Sequence, residues 1–550
     1  MGASNRVYRL ARSARQRSFP AAVAVLLLAS FSLAQAKPGD TTVIAGSSAY
    51  PQMSTDGRFV LFGSYRDLLP ENGLGANLFV FDRSTGQYES INDKDSGHSL
   101  NGWRWLPQAA MSGDGRYVIW CSYFRVLVRD RVAGSTTPLM IHDRPYRTRD
   151  CDFAFSEDGR FLAFESPDSS LVPNDTNGQR DMFVLDRSTN SIERVSVSSS
   201  GAEADGPVVG LPMLNADGRF AVFASHATNM VPGDTNDATD LFVRDRATGV
   251  TTRINVDAQG VQAEEGVEYF YFYPNGRTIS ADGRFVTFAS YASTLVPGDP
   301  PDPVPTIHAY VVDRDTGTVE RVSVNAEGQP GDGDSYQPSL SADGRFVSFT
   351  SGATNLVPGD YGADGDVFVR DRFLGRTERA SAWSSGAEST NLTRGQSYSW
   401  GGSLSGDGRF VAFSSVADLA EGVSPYGLNV YLHENGGTDY WVFAVTPSHA
   451  DFGEQSVSTS SAPMRFTVTN DSTQPLPLLT LELRLTDKEH FRETNDCPAS
   501  LPVGSSCAID VTFAPKTLGP KYATLKVFFD TGADGRHPVR TQRLYGRGMP

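Results

Sequence analysis

Between Gln337 and Ala382 the chain reads QPSLSADGRFVSFTSGATNLVPGDYGADGDVFVRDRFLGRTERASA. Gln337 to Ser341 is a short strand that ends in the turn Ala342-Asp343-Gly344. Arg345 to Ser351 alternates apolar with polar residues, and Phe346 and Phe349 mark it as a second strand. The polar loop Leu356-Val357-Pro358-Gly359-Asp360 separates it from a third strand at Asp366 to Arg372. A turn near Leu374-Gly375 leads to a fourth, Thr377 to Ala382. Period-two alternation, aromatic and β-branched residues and Asp-Gly punctuation are the signals of hairpin-linked strands. Four antiparallel strands with no helical periodicity between them make one blade of a propeller.

The unit recurs. Asp-Gly-Arg starts at Asp56, Asp114, Asp158, Asp217, Asp282, Asp343 and Asp407, at intervals of 58, 44, 59, 65, 61 and 64 residues. Self-similarity at such a period marks propellers and solenoids. The chain is therefore expected to be all-β, with a β-propeller of seven blades; six or eight follow if a copy is displaced or degenerate. Copy two is abbreviated, its second and third strands near Tyr117–Cys121 and Arg125–Asp130 meeting almost without a loop. Thr41-Thr42-Val43-Ile44-Ala45 stands where other copies carry a fourth strand, such as Arg321-Val322-Ser323-Val324, and is expected to complete the last blade. Tyr440-Trp441-Val442-Phe443 is the rival for that place.

The pattern Leu-Ser-x-Asp-Gly-Arg-Phe-Val-x-Phe, clearest at 339–349 and 403–413, resembles the WD40-like (PD40) repeats of TolB-type propellers. The resemblance covers roughly residues 41–440 and implies the same fold. Past Gly437 the repeat stops, and alternation with turn residues over about a hundred positions suggests an immunoglobulin-like sandwich. Asp451-Phe452-Gly453, Phe466-Thr467-Val468-Thr469-Asn470, Gly504-Ser505-Ser506-Cys507 and Val511-Thr512-Phe513-Ala514-Pro515 resemble the choice-of-anchor D and HYDIN/ASH-like modules of exported bacterial proteins. The expected organisation is a signal peptide over 1–36, a propeller over 37–444 and an immunoglobulin-like domain over 445–550.

The signal peptide is read from five arginines (Arg6, Arg9, Arg12, Arg15, Arg17), the apolar run Ala21 to Leu33 and the cleavage motif Ala34-Gln35-Ala36. A 13-residue apolar run is short for a bilayer span. The mature protein is expected in the periplasm or outside the cell, as a monomer with no transmembrane segment. Losing five arginines takes the formal charge from −16 to −21, which disfavours nucleic acid and favours cationic or basic partners. Four cysteines suit an oxidising compartment. Cys497 and Cys507 are the closer pair, and closing that loop is worth roughly 2–3 kcal/mol on the chain-entropy model. Cys121 and Cys151 would then join neighbouring copies, although four cysteines allow three connectivities. The resemblance to the anchor modules, in which two cysteines bracket a loop, supports the Cys497–Cys507 pair.

Blade topology sorts scaffold from candidate site. The Asp-Gly-Arg turns and the recurrent Asp-Arg pairs (Asp82-Arg83, Asp186-Arg187, Asp245-Arg246, Asp313-Arg314, Asp371-Arg372) share one face. Residues required identically in every copy read as turn chemistry, the arginine pairing with the aspartate of its neighbour. The opposite face carries the variable loops, where function concentrates. One set of loops repeats acids: Asp175, Asn177 and Asp181; Asp234, Asn236 and Asp240; Asp360, Asp364 and Asp366. Oxygen ligands at such spacing are candidate calcium ligands, although no bidentate Glu follows as in an EF-hand; turn residues bonding their own backbone are the plainer reading. The crossings between blades carry Trp103 and Trp105; Glu264, Glu265, Glu268 and Tyr271; and Tyr398 and Trp400. Flat rings beside acids suit carbohydrate or peptide, unless alternate rings point into the core.

Catalytic signatures are missing: no G-x-S-x-G elbow, H-E-x-x-H, P-loop or Rossmann glycines. No catalytic residue is assigned, and no cofactor other than calcium. The sequence therefore points to an exported, non-enzymatic binding or scaffold protein that presents a propeller face to a protein, peptide or glycan. The alternative is a secreted hydrolase or lyase with its site in the propeller's central mouth, which convergent polar groups there would favour.

Overall fold

The computed structural model describes residues 40–550 apart from 66–67, 70–76, 93–108, 123, 149–150, 211, 268–275, 297–303, 359, 361–364, 383–397, 421–427, 436–442, 447–448, 471–478, 485–488, 503 and 530–538. Segment 1–36 and the candidate residues Trp103, Trp105, Glu268, Tyr271 and Asp364 lie outside the described residues. Within them the chain is all-β, and no helix is long and apolar enough to cross a membrane.

The seven copies form seven antiparallel sheets in chain order. Blade 1 runs Ser48–Met53, Phe59–Ser64, Asn77–Asp82 and Gln87–Ser90 from inner to outer strand. Blade 2 holds residues 109–138, blade 3 residues 153–194, blade 4 residues 213–253 and blade 6 residues 335–379. Blade 5 shows three strands, Phe285–Ser290, His308–Asp313 and Thr318–Arg321, with a bridge from Ile279 to Val286 on its inner side. Blade 7 consists of Ser399–Leu404, Phe410–Ser415 and Asn429–Glu434, and its outer strand is Thr41–Gly46. The strand ahead of the first copy thus takes that place; Phe443, from the rival segment, begins a strand of a different sheet.

The aromatic alternation explains why these blades form. The second Phe of each Phe-x-x-Phe sits directly opposite an aromatic of the third strand: Phe223 faces Phe242, Phe288 faces Tyr310, and Phe349 faces Phe368. Their ring centroids lie 5.7, 5.7 and 5.8 Å apart, in the range where aromatic pairs add to cross-strand stability. Both middle strands of a blade are buried almost throughout, because each blade is covered on two sides by its neighbours. The apolar cores accordingly run from blade to blade, as in the cluster joining Ala163, Phe223, Phe242, Phe288 and Tyr310.

Beyond the propeller, one sheet orders Phe443–Thr446, Met464–Asn470, Ser506–Phe513 and Phe491–Asn495. A second orders His449–Ser456, Val539–Met549, Gly519–Phe529 and Leu479–Arg484, its first two strands parallel. One core of Phe466, Val468, Phe491, Ile509, Phe513, Leu525 and Leu544 serves both sheets. Two disulfides are present: Cys497–Cys507 in this part, and Cys121–Cys151 between blades 2 and 3.

Candidate functional site

The turn-bearing face is occupied by its own chemistry. Each Asp-Gly-Arg arginine forks onto an acid at the end of the third strand of its own copy, not of a neighbour as the sequence suggested. Arg58 meets Asp82, Arg116 Asp130, Arg160 Asp186, Arg219 Asp245, Arg284 Asp313, Arg345 Asp371 and Arg409 Glu434, at 2.5 to 2.8 Å. The Arg219 guanidinium holds the Asp245 carboxyl well below the ordinary carboxylate range. It is the other arginine, that of the Asp-Arg pair, that reaches the neighbouring blade. It donates to the glycine carbonyl of its own Asp-Gly-Arg turn and lies over an aromatic of the preceding blade. Arg131 covers Phe59, Arg187 Tyr117, Arg246 Phe161, Arg314 Phe220 and Arg372 Phe285, at 4.1 to 4.7 Å. Arg83 of blade 1 covers Phe410 of blade 7 at 3.7 Å, so the contact also joins the last sheet to the first.

A second ring lies inside this one. The residue before each Asp-Gly-Arg donates its backbone N–H to its counterpart in the next blade: Thr55 to Gly113, Glu157 to Ala216, Ala216 to Ala281, Ala281 to Ala342, Ala342 to Gly406 and Gly406 back to Thr55. Between blades 2 and 3 the donor is Asp114, one residue on, to Glu157. Seven turns linked side by side here leave little room. A Cβ on Gly113 would stand 2.1 Å from the Glu157 carboxylate, and one on Gly406 2.5 Å from Thr55. The ring positions are small except for Thr55 and Glu157, whose side chains meet Arg277 from blade 5. Thr55 Oγ1 donates to Glu157 Oε2 at 2.7 Å and accepts from Arg277 Nη2 at 2.5 Å; Arg277 Nη2 lies 3.5 Å from Glu157 Oε2. This triad links blades 1, 3 and 5, and burial lowers the Arg277 pKa below its ordinary value.

On the loop-bearing face the acidic groups enclose arginines. Arg194 Nη1 lies 3.0 Å from Asp175, 3.3 Å from Asp181 and 2.7 Å from Glu203. Arg253 Nη1 lies 3.2 Å from Asp234 and 2.9 Å from Asp240, and Arg379 Nη1 3.3 Å from Asp360 and 3.8 Å from Asp366. Asn177 and Asn236 donate to these acids and to the carbonyls of Ala204 and Ala263, fastening loop to crossing. Desolvation, followed by the charge of Asp240, pushes Asp234 up to about 6; Asp175 is raised by the same causes, with Asp181 as its neighbour. Among the described residues the one trio of His, Cys, Asp or Glu ligand atoms gathered within 4.8 Å is Asp496, Cys497 and Cys507, and both its sulfurs are joined to each other.

Of the aromatic and acidic crossing residues, the structure brings two together. Tyr398 and Trp400 lie with ring centroids 5.3 Å apart and planes tilted by 43° at the entry to blade 7, Tyr398 being 44% exposed and Trp400 half-buried. Tyr398 lies over Gly365, where any Cβ would stand 2.7 Å from the ring, so the glycine makes room for it. Glu264 and Glu265 are exposed at the crossing from blade 4 to blade 5. One feature escaped the periodicity: the inner strands of blades 1, 6 and 7 are long and bulged, with Tyr50, Gln337 and Gly401 left-handed at φ 59°, 52° and 74°. Pro51 and Pro338 follow two of them, and residues before proline avoid such conformations. The signal available was Tyr-Pro and Gln-Pro in the middle of a strand.

No protein-family model matches this chain, and no curated protein does. Among solved structures it is similar to TolB from Agrobacterium tumefaciens, at 17% identity over 51% of this chain and 83% of that one, with a TM-score of 0.30. The β-propeller domain of the Trilobed protease from Pyrococcus furiosus is similar at 12% identity over 72% of this chain and 97% of that one, TM-score 0.41. Dipeptidyl peptidase 4 of Porphyromonas gingivalis is similar at 12% identity and TM-score 0.36, over 66% of this chain and 48% of that one. Likeness of this order concerns the propeller fold and carries no activity with it.

Proposed function

We propose that this is a non-enzymatic binding protein of the periplasm or exterior, whose propeller takes up a glycan or peptide on its loop-bearing face beside Tyr398 and Trp400. The observation that carries this is the exposed Tyr398 ring beside a half-buried Trp400, with a glycine beneath the tyrosine and strained inner strands around the pair. Strain at a few positions of an otherwise regular scaffold is a feature of binding sites. The opposite face has its charges and rings committed to internal contacts. The two disulfides accord with an oxidising compartment. The residues from 445 onward are read as an immunoglobulin-like spacer or docking module. The test is capture from the native envelope and culture medium by the mature protein and by a Tyr398→Ala/Trp400→Ala variant. Loss of the captured species in the variant is expected; equal capture removes the reading.

The triad of Thr55, Glu157 and Arg277 favours a second reading, a hydrolase or lyase acting at the centre of the ring. There Glu157 is the candidate general acid or base. Turnover of glycoside, ester or peptide substrates that Glu157→Gln abolishes would establish it, and a fully active Glu157→Gln variant would refute it.

A further inference from the structure

Blade 2 departs from its siblings. Its second and third strands, Tyr117–Ser122 and Arg125–Asp130, are joined at Phe124, held at φ 71°. Its outer strand continues past Pro138 into a hairpin, Met140–Ile141 against Arg144–Pro145. His142 and Asp143 turn it at φ 49° and 58°, where such turns normally take Asn-Gly. The hairpin is firmly seated. Leu139 N–H donates to the Val126 carbonyl at 2.8 Å, Tyr146 N–H to Leu139 at 2.7 Å, and Thr148 N–H to Phe124 at 3.0 Å. Ile141 and Tyr146 are buried, the tyrosine ring 5.3 Å from Phe164 of blade 3. The Cys121–Cys151 disulfide closes the whole excursion into a loop.

This seated element displays an unusual surface for an acidic protein. Arg125, His142, Arg144 and Arg147 are all exposed on it, against one acid within the hairpin, Asp143. Arg125 and Arg147 are antiparallel bridge partners, and like charges placed opposite one another on paired strands are unfavourable. Arg144 and Arg147 make no ion pair with any described residue, whereas the arginines of the repeat are forked onto carboxylates. Phe124 and Met140 stand 44% and 41% exposed on the same excursion. Guanidinium groups flanked by exposed apolar side chains are a surface composition enriched at interfaces.

We propose that this hairpin is a docking surface for an acidic segment of a partner protein, whose carboxylates bind Arg125, Arg144 and Arg147 while its apolar side chains cover Phe124 and Met140. Charge complementarity selects the occupant: Arg144 and Arg147 carry no ion pair among the described residues, Arg147 stands opposite Arg125, and carboxylates are what guanidinium binds in a planar fork. The proposal is independent of the site at Tyr398 and Trp400, which belongs to blade 7.

The test uses the mature protein and a fluorescent peptide in which glutamates alternate with leucines. Anisotropy should show saturable binding that weakens about tenfold or more between roughly 50 mM and roughly 500 mM salt. An Arg144→Glu/Arg147→Glu variant with an unchanged melting temperature should lose binding to at least the same degree, and Arg144→Lys/Arg147→Lys should keep most of it. Met140→Ser should weaken binding severalfold without changing its salt dependence. Equal affinity in the charge-reversed variant overturns the proposal. So does a wild-type protein that takes up phosphatidylglycerol vesicles or polygalacturonate while leaving the peptide free.

Discussion

Arg246 shows how one side chain joins two blades. Its guanidinium lies 4.6 Å above the Phe161 ring, donates to the Gly218 carbonyl and meets Glu193 at 3.0 Å. Glu193 is 41% exposed, so that ion pair adds little; the ring and the carbonyl carry the contact. Arg246→Ala should therefore destabilise by about 2 kcal/mol in denaturant unfolding. Arg246→Lys should recover only part of this, because an ammonium cannot cover a ring and fork onto a carbonyl together; full recovery by lysine would refute the assignment. Asp234 gives a pH signature of opposite origin. Its folded pKa of about 6 lies above the ordinary carboxylate value, so its contribution to stability is complete below that ordinary value. It is lost as pH rises through about 6. Asp245, whose pKa is depressed, acts in a separate acid window, its contribution lost as pH falls below the ordinary carboxylate range. Lowering the pH from 7 to 5 should accordingly raise the melting temperature of the wild type relative to Asp234→Asn, and a constant gap would show that Asp234 titrates normally. The recurrence of both arginines was visible in the sequence. Their partners were not, because a spacing of about 26 residues within a blade and one blade's offset between blades leave the same periodic trace.

At the level of the element, the acidic loops were legible as a pattern but not as an environment. Asp175 with Asp181 and Asp234 with Asp240 recur at calcium-like spacing, yet the residue that neutralises them, Arg194 or Arg253, comes 13 or more residues later, at the end of the neighbouring fourth strand. Calcium and a guanidinium compete for the same oxygens. Millimolar calcium should then leave the wild-type melting curve unchanged, and Arg253→Ala should both destabilise the protein and make its melting temperature rise with added calcium. A chelator that lowers the wild-type melting temperature would restore calcium as a native ligand of these loops. The aromatic runs were ambiguous for a related reason. Period-two alternation sends neighbouring rings to opposite sides, and the bulges at Tyr50, Gln337 and Gly401 reset that alternation within a strand. Sequence alone does not locate a bulge, so it does not say which rings remain outside.

For the whole molecule the recurrent turn was sufficient to read a propeller, since seven copies of a two-sided blade bury their surfaces only against one another. The way the two ends meet was a choice between two segments, and it is settled by the pairing and side-chain contacts of Thr41–Gly46. Thr41 Oγ1 donates to the Ala382 carbonyl at 2.7 Å and lies 2.9 Å from His433 Nδ1. Ile44 and Ala45 are buried in the core that also holds Phe62, Phe79 and Phe410, and Tyr88 of blade 1 donates to the Ile44 carbonyl at 2.6 Å. Strand Thr41–Gly46 therefore belongs to blade 7 by its ladder and to blade 1 by its side chains. Deleting it exposes the edge of Asn429–Glu434 and removes an isoleucine from the core shared by both blades. The loss should be at least about 3 kcal/mol, with aggregation through the unpaired edge. Ile44→Ala, which keeps the ladder, should cost about 2–3 kcal/mol without aggregation. Hydrogen exchange distinguishes a ring from a row of blades: in the Ile44→Ala protein a ring loses protection in blades 1 and 7 together, although some 330 residues of chain separate their cores. Loss confined to blade 7 would mean that the inner circle of backbone hydrogen bonds and the Arg83–Phe410 contact hold blade 1 without help from the closing strand.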